Sequence, residues 1–194
     1  MSLVFKRRLA RLMYIFVLLA ILLVSLILSG RARYLTSTLS QNNPGAYTVS
    51  RFIDGDTVSV SMNGHIETIR FIGIDTPETH KPNTPVQCYG PEAAAYTKQI
   101  IGHQKIVLVS DPLTTDRDRY DRLLRYVYLT DGTNINQKLV REGYAFYYPY
   151  FPFTKAVDFS MEEESAISQH KGLWQHCKPT PTDSGGYISN SLSS

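Results

Sequence analysis

Apolar residues follow two regimes along this chain. From Leu12 to Ser29 the sequence LMYIFVLLAILLVSLILS runs 18 residues without a charge. As a helix it spans roughly 27 Å, close to the hydrocarbon thickness of a bilayer. Beyond it the apolar positions alternate or recur at helical spacing. Tyr47–Ile53 alternates and ends in Asp-Gly-Asp, a tight turn. Thr57–Met62 alternates again, Asn63-Gly64 is the strongest short hairpin signal, and Ile66–Ile74 returns as the third strand of a meander. Pro91–Ile101 has proline in its first turn, an early acid and alanine-rich propensity, which predicts a helix. Lys105–Ser110 and Leu123–Leu129 read as strands on either side of the charged stretch TTDRDRYDR. Asn134–Glu142 is a short amphipathic helix ended by Gly143, and Ser160–His170 a last helix ended by Gly172, with Trp174 beyond as a packing anchor.

This order, three strands, a helix, two strands, then helices, predicts an α+β domain that is mainly β. Five strands wrap into a small closed barrel over residues 47–178, and helices cap its openings. Residues 1–34 form an N-terminal membrane anchor or signal segment with one transmembrane helix. Residues 35–46 are a polar, turn-rich linker. The tail, 179–194, is rich in Ser, Thr, Pro and Gly and reads as disordered.

With 194 residues and 43% hydrophobic content the chain holds about one domain and can bury a core, which excludes collagen-like structure and disorder throughout. Two cysteines are too few for a disulfide-dense scaffold. The net charge of +3 invites a nucleic-acid partner, but the charge is unevenly spread. Residues 1–34 hold six of the 20 Lys and Arg and none of the 17 acids. The remainder therefore has 14 bases against 17 acids, or −3. The basic residues flank the apolar run more heavily on its N-terminal side. That asymmetry keeps the N-terminus cytoplasmic and sends the body across the membrane. A cleaved signal peptide followed by secretion is the alternative, but Leu28 and Gly30 before Arg31 make a poor cleavage site.

Three polar clusters stand out: Asp54-Gly55-Asp56-Thr57, then Arg70 with Asp75-Thr76-Pro77-Glu78, then Asp118-Arg119-Tyr120-Asp121-Arg122. Asp56 and Asp75 are hard oxygen ligands at a hairpin base and a strand end, suited to Ca²⁺ or Mg²⁺ if their strands are neighbours. Glu78, on a rigid turn just past a proline, is placed to activate or orient a water. Arg70 and Arg122 are forked cations able to clamp a phosphate and stabilise charge developing on it. Cation, carboxylate and two arginines suit phosphodiester hydrolysis. The five histidines lack HxxxH spacing, which argues against zinc.

IDGDT, IRFIGIDTPET, YGPEAAAYTK, DRYDRLLRYVY and NQKLVREGYA, in order from about Val49 to Trp174, resemble the staphylococcal nuclease (thermonuclease) family. The resemblance implies a five-stranded OB barrel with three helices and Ca²⁺-dependent hydrolysis of DNA and RNA at the 5′ P–O bond. It makes Asp56 and Asp75 calcium ligands helped by the Thr76 carbonyl, with Asp54 just outside them. Glu78 becomes the general base or water-orienting carboxylate, and Arg70 and Arg122 hold the scissile phosphate. Arg119-Tyr120 stands where the family has Lys-Tyr against a second phosphate. Tyr148 and Tyr150, in an aromatic stretch that departs from the family pattern, fall where a base stacks.

The expected protein is therefore a monomeric, membrane-tethered endonuclease facing outside the cytoplasm, acting on single-stranded or frayed DNA and RNA. OB barrels bind single strands through a groove and base stacking, so a body of −3 still binds where cations are local. A non-catalytic OB module that binds nucleic acid at the membrane surface is the rival. A binding relic, however, has no need of Arg70, Glu78 and Arg122 together. Cys88 precedes the first helix and Cys177 follows the last. A cytosolic body would keep them reduced, whereas an exported one can join them.

Overall fold

The structure is a computed structural model that describes Val24, residues 45–80 and residues 84–192. The predicted membrane segment lies outside the described residues except for Val24. Among the described residues no helix is long and apolar enough to cross a membrane.

Three strands form the meander: β1 (Ala46–Asp54), β2 (Thr57–Met62) and β3 (His65–Phe71). Asn63 and Gly64 both have positive φ, 51° and 82°, as the predicted tight hairpin requires. β4 (Ile74–Asp75) follows a break at Gly73, whose φ is 75° and against which the Phe153 ring packs. A side chain there would meet both strain and that ring. After α1 (Gly90–Ile101) come β5 (Lys105–Val109) and β6 (Leu123–Leu129). The barrel closes in the order β1-β2-β3-β6-β5. All its pairs are antiparallel except β3–β6, in which Arg70 lies beside Leu124. Val58, Val60, Ile69, Ile106 and Val127 are fully buried in its core.

α2 (Ile135–Arg141) is capped by Asn134, whose side chain accepts from Gln137 N. β7 (Phe146–Tyr147) pairs with β4, opposing Asp75 to Phe146. α3 (Ala156–Ser168) begins four residues before the predicted start, because Phe159 in its first turn is wholly buried and belongs to the core. A one-turn helix, α4 (Leu173–His176), brings the described helices to four, against three expected. Asn136, fully buried, is a polar staple. It accepts from Val127 N at 2.9 Å and donates to the Ile72 carbonyl at 2.9 Å. This fixes the end of β3 against β6 just before the chain reaches Asp75.

The tail differs from its expected disorder. Thr180–Pro181 (β8) and Tyr187–Ile188 (β9) form a small hairpin. Tyr187 packs edge-on to Trp174 at 4.9 Å and stacks with Phe146 at 6.2 Å. One aromatic anchor thus offsets a composition that argues for disorder. Cys88 and Cys177 are disulfide-bonded across 89 residues, with Cα atoms 5.8 Å apart.

Candidate active site

The turn between β1 and β2 presses onto the segment after β4. A Cβ on Gly55 would lie 2.8 Å from Thr76 Cγ2, so only glycine admits this approach. The Gly55 carbonyl accepts from Thr97 Oγ1 of α1 at 2.6 Å, tying helix to turn. Asp54 reaches across as well, accepting from Gly55 N at 2.9 Å and Thr79 Oγ1 at 2.9 Å. Burial, with the Asp56 charge beside it, raises its pKa above the ordinary carboxylate value.

These contacts bring the first two sequence clusters together. Arg70 on β3 sits opposite Thr57 on β2. Its Nη2 donates to Asp75 Oδ1 at 2.6 Å, and its Nη1 lies 2.5 Å from Asp56 Oδ2. The second contact is close but poorly directed, since Nη1 makes no hydrogen bond of good angle, so it is an ion pair. Asp56 also accepts from Thr57 Oγ1 at 2.8 Å and Thr76 N at 2.9 Å. Burial opposes the Arg70 charge, but Asp56 and Asp75, with Tyr148 and Glu78 further off, hold its pKa above the ordinary value. Glu78 is half-buried beside this cluster, and its N–H donates to Gln87 Oε1 at 2.8 Å.

The third cluster is a turn built on Asp118. Its Oδ1 accepts from Tyr120 N at 2.9 Å and Arg122 N at 3.0 Å, and its Oδ2 accepts from Arg122 Nε at 2.7 Å. Burial works against this carboxylate's charge, but those donors hold its pKa below the usual range. Asp121 closes the turn at φ 65°. The guanidinium groups of Arg119 and Arg122 lie 4.8 Å and 5.3 Å from the Tyr120 ring centroid, and that ring is 65% exposed. Tyr148 links this turn to the carboxylates. Burial and the Asp75 charge raise its pKa, while Arg70 and Arg119 pull the other way. Its ring lies 4.6 Å from Tyr150 and 6.1 Å from Phe151. Tyr150 turns its hydroxyl to Thr182 Oγ1 at 2.6 Å.

The arrangement fits a hard cation. Asp56 and Asp75 aim at one guanidinium, so both carboxylates reach a common point. Among the described residues the buried Thr76 Oγ1 has no hydrogen-bond partner. Among the described residues no group of three His, Cys, Asp or Glu side chains would hold a metal unaided. A hard cation here would take oxygen from the two carboxylates and complete its shell with water.

Two residues organise the site without a role assigned to them from the sequence. Asp118 stands in the third polar cluster, but charged runs offer many i, i+4 pairs and nothing marks this one. Gln87 carries no signal at all, since a lone glutamine in a loop predicts nothing.

The family model described as "Staphylococcal nuclease homologue" matches residues 68–176. The chain is 37% identical over 166 residues to "Thermonuclease" of Staphylococcus hyicus, covering 84% of this chain and 95% of that protein. It is 43% identical over 129 residues to "SPbeta prophage-derived endonuclease YokF" of Bacillus subtilis, 66% of this chain but only 43% of that one. It is 40% identical over 145 residues to "Endonuclease YncB" of the same organism, 74% of this chain and 64% of that one. The match thus spans less than two thirds of the two Bacillus proteins and nearly all of the Staphylococcus one.

Proposed function

Because the chain belongs to the staphylococcal nuclease homologue family, we propose that it is a Ca²⁺-dependent nuclease hydrolysing DNA and RNA at the 5′ P–O bond. The observation that carries this reading is Arg70, held between Asp56 and Asp75 with Glu78 in the same field. A cation placed by two carboxylates, a carboxylate for water and forked cations for phosphate form a phosphodiesterase donor set.

In this reading Arg70 and Arg122 grip the non-bridging oxygens of the scissile phosphate and stabilise the negative charge that grows there. Glu78 orients the attacking water and accepts its proton as the new P–O bond forms. The P–O5′ bond breaks, the leaving 5′ oxygen takes a proton from solvent water with Arg122 beside it, and Glu78 returns its proton to solvent. Ca²⁺ bound by Asp56, Asp75 and the Thr76 carbonyl would supply Lewis-acid polarisation of the phosphoryl oxygen. Arg119 and Tyr120 contact a neighbouring phosphate, and Tyr148 and Tyr150 offer ring faces to bases of a single strand.

The body faces outside the cytoplasm, tethered by the apolar segment 12–29 with the N-terminus inside. The Cys88–Cys177 bond supports this topology, because such bonds persist in oxidising compartments. The test is hydrolysis of single-stranded DNA, duplex DNA and RNA across a Ca²⁺ titration, with protease applied to intact cells. Activity unchanged by chelation rejects the metal. Full protection of the body from protease rejects the topology.

A further inference from the structure

We propose that Gln87 is the positioning residue for Glu78, and that residues 178–192 form a strap holding Gln87 in place. This rests on the reading of Glu78 as the carboxylate that orients water. Gln87 grips Glu78 at both of its backbone groups. The Glu78 N–H donates to Gln87 Oε1 at 2.8 Å, and Gln87 N donates to the Glu78 carbonyl at 2.9 Å. Fixing the amide and the carbonyl of one residue fixes its φ and ψ, and with them the direction in which its side chain leaves the chain. The start of α1 closes in from the same side. A Cβ on Gly90 would stand 2.9 Å from the Pro77 carbonyl and 3.0 Å from that of Glu78.

Gln87 is in turn held by the C-terminal segment on both flanks. Leu192 N donates to the Val86 carbonyl at 2.9 Å, and Cys88 N donates to the Asn190 carbonyl at 2.8 Å. This places Gln87 opposite Ser191 in an antiparallel bridge. Ser189, 5% exposed, donates from Oγ to the Cys88 carbonyl at 2.9 Å, and Asn190 Oδ1 accepts from Lys178 N at 2.8 Å. The strap is anchored at its near end by the Cys88–Cys177 bond and further along by Tyr187 against Trp174 and Phe146. Because the strap bonds to Val86 and Cys88 on either side, the Gln87 N–H and side chain are left to Glu78. The family model matches residues 68–176, so the strap lies outside the matched range.

A general base must stand within hydrogen-bond reach of its water, and a misplacement of about 1 Å costs on the order of 100-fold in rate. Part of that loss is expected when the grip on Glu78 is released. The test uses the full chain and three variants. Gln87→Met keeps length without an acceptor, Gln87→Glu keeps the oxygen, and Ser189→Ala/Leu192→Pro removes two strap donors.

We expect Gln87→Met to lower kcat by about 10-fold with little change in KM. Its Glu78 amide should exchange hydrogen faster, and Gln87→Glu should regain most of both. The strap variant should reproduce the Gln87→Met loss, and the two combined should lose no more than either alone. An unchanged Glu78 exchange rate in Gln87→Met overturns the positioning role. Losses that multiply when the variants are combined overturn the strap. If Glu78→Ser leaves kcat intact, the catalytic reading of Glu78 is what fails. The exchange measurements then still report the grip on their own.

Discussion

Asp118 clasps Arg122, four residues further along the same turn, through Nε at 2.7 Å and Nη2 at 2.6 Å. The cation assigned to the phosphate therefore reaches it from a fixed mount. The same carboxylate holds the turn by accepting two backbone N–H groups. Asp118→Ala should lower kcat/KM on single-stranded DNA by roughly 10- to 100-fold, as expected when a charge-assisted hydrogen bond that orients a catalytic cation is lost. Asp118→Asn, which still offers an oxygen to both N–H groups, should lose less. Equal losses in the two variants would mean that the charge, and not the turn, matters.

Arg70 neutralises two buried or half-buried carboxylates at once, and its own side chain is only 14% exposed. Removing one partner of such an ion pair leaves charge uncompensated in a dry place, typically a loss of about 3–5 kcal/mol. Arg70→Gln should therefore destabilise the protein by roughly that amount in chelator. Added Ca²⁺ should restore part of the loss, because a cation between Asp56 and Asp75 binds only the folded state. Urea unfolding with and without Ca²⁺ measures both. A Ca²⁺ effect no larger in the variant than in the parent argues against metal at this pair.

The Cys88–Cys177 bond closes a loop of 89 residues and pins the end of α4 to the approach to α1. A cross-link of that span stabilises by about 2–4 kcal/mol, chiefly by restricting the unfolded chain. Reductant, or Cys88→Ser/Cys177→Ser, should lower the unfolding free energy by that amount. A parent protein whose stability is insensitive to reductant would contradict a structural bond here.

The barrel was legible because its strands carry their own signals. Alternation placed β1 and β2, and Asn63-Gly64 set the register that brings Arg70 opposite Thr57. Asp56 and Asp75 stood out in the sequence as metal ligands and Arg70 as a phosphate clamp, whereas their mutual ion pairing shows only once β2, β3 and β4 are placed. The strap was not legible, because its hold runs largely through backbone groups some 100 residues apart, as in Cys88 N to the Asn190 carbonyl. Backbone donors look alike in every sequence. Tyr187, whose ring docks the hairpin on Trp174 and Phe146, sits among Ser and Gly residues whose composition argues for disorder.

Glu163 is 7% exposed on α3, and its Oε1 accepts from Tyr147 N at 2.8 Å. Burial, helped slightly by Glu164, overrides that hydrogen bond and raises its pKa from 4.5 to about 7. Between those two values the folded protein binds more protons than the unfolded chain. Stability is therefore full below pH 4.5, falls as pH rises through the window, and levels off above about 7. The total loss is on the order of 3 kcal/mol. Asp111 and Asp118 act in the opposite sense and in another range. Their pKa values lie below the ordinary 3.8, so their contribution is lost only as the solution becomes strongly acidic. Glu163→Gln keeps an acceptor for the Tyr147 N–H without a charge to bury. It should match the parent near pH 4.5 and exceed it in stability at pH 8, as measured by urea unfolding across that range. Parallel curves for the two proteins would mean that Glu163 ionises at its ordinary pKa despite its burial.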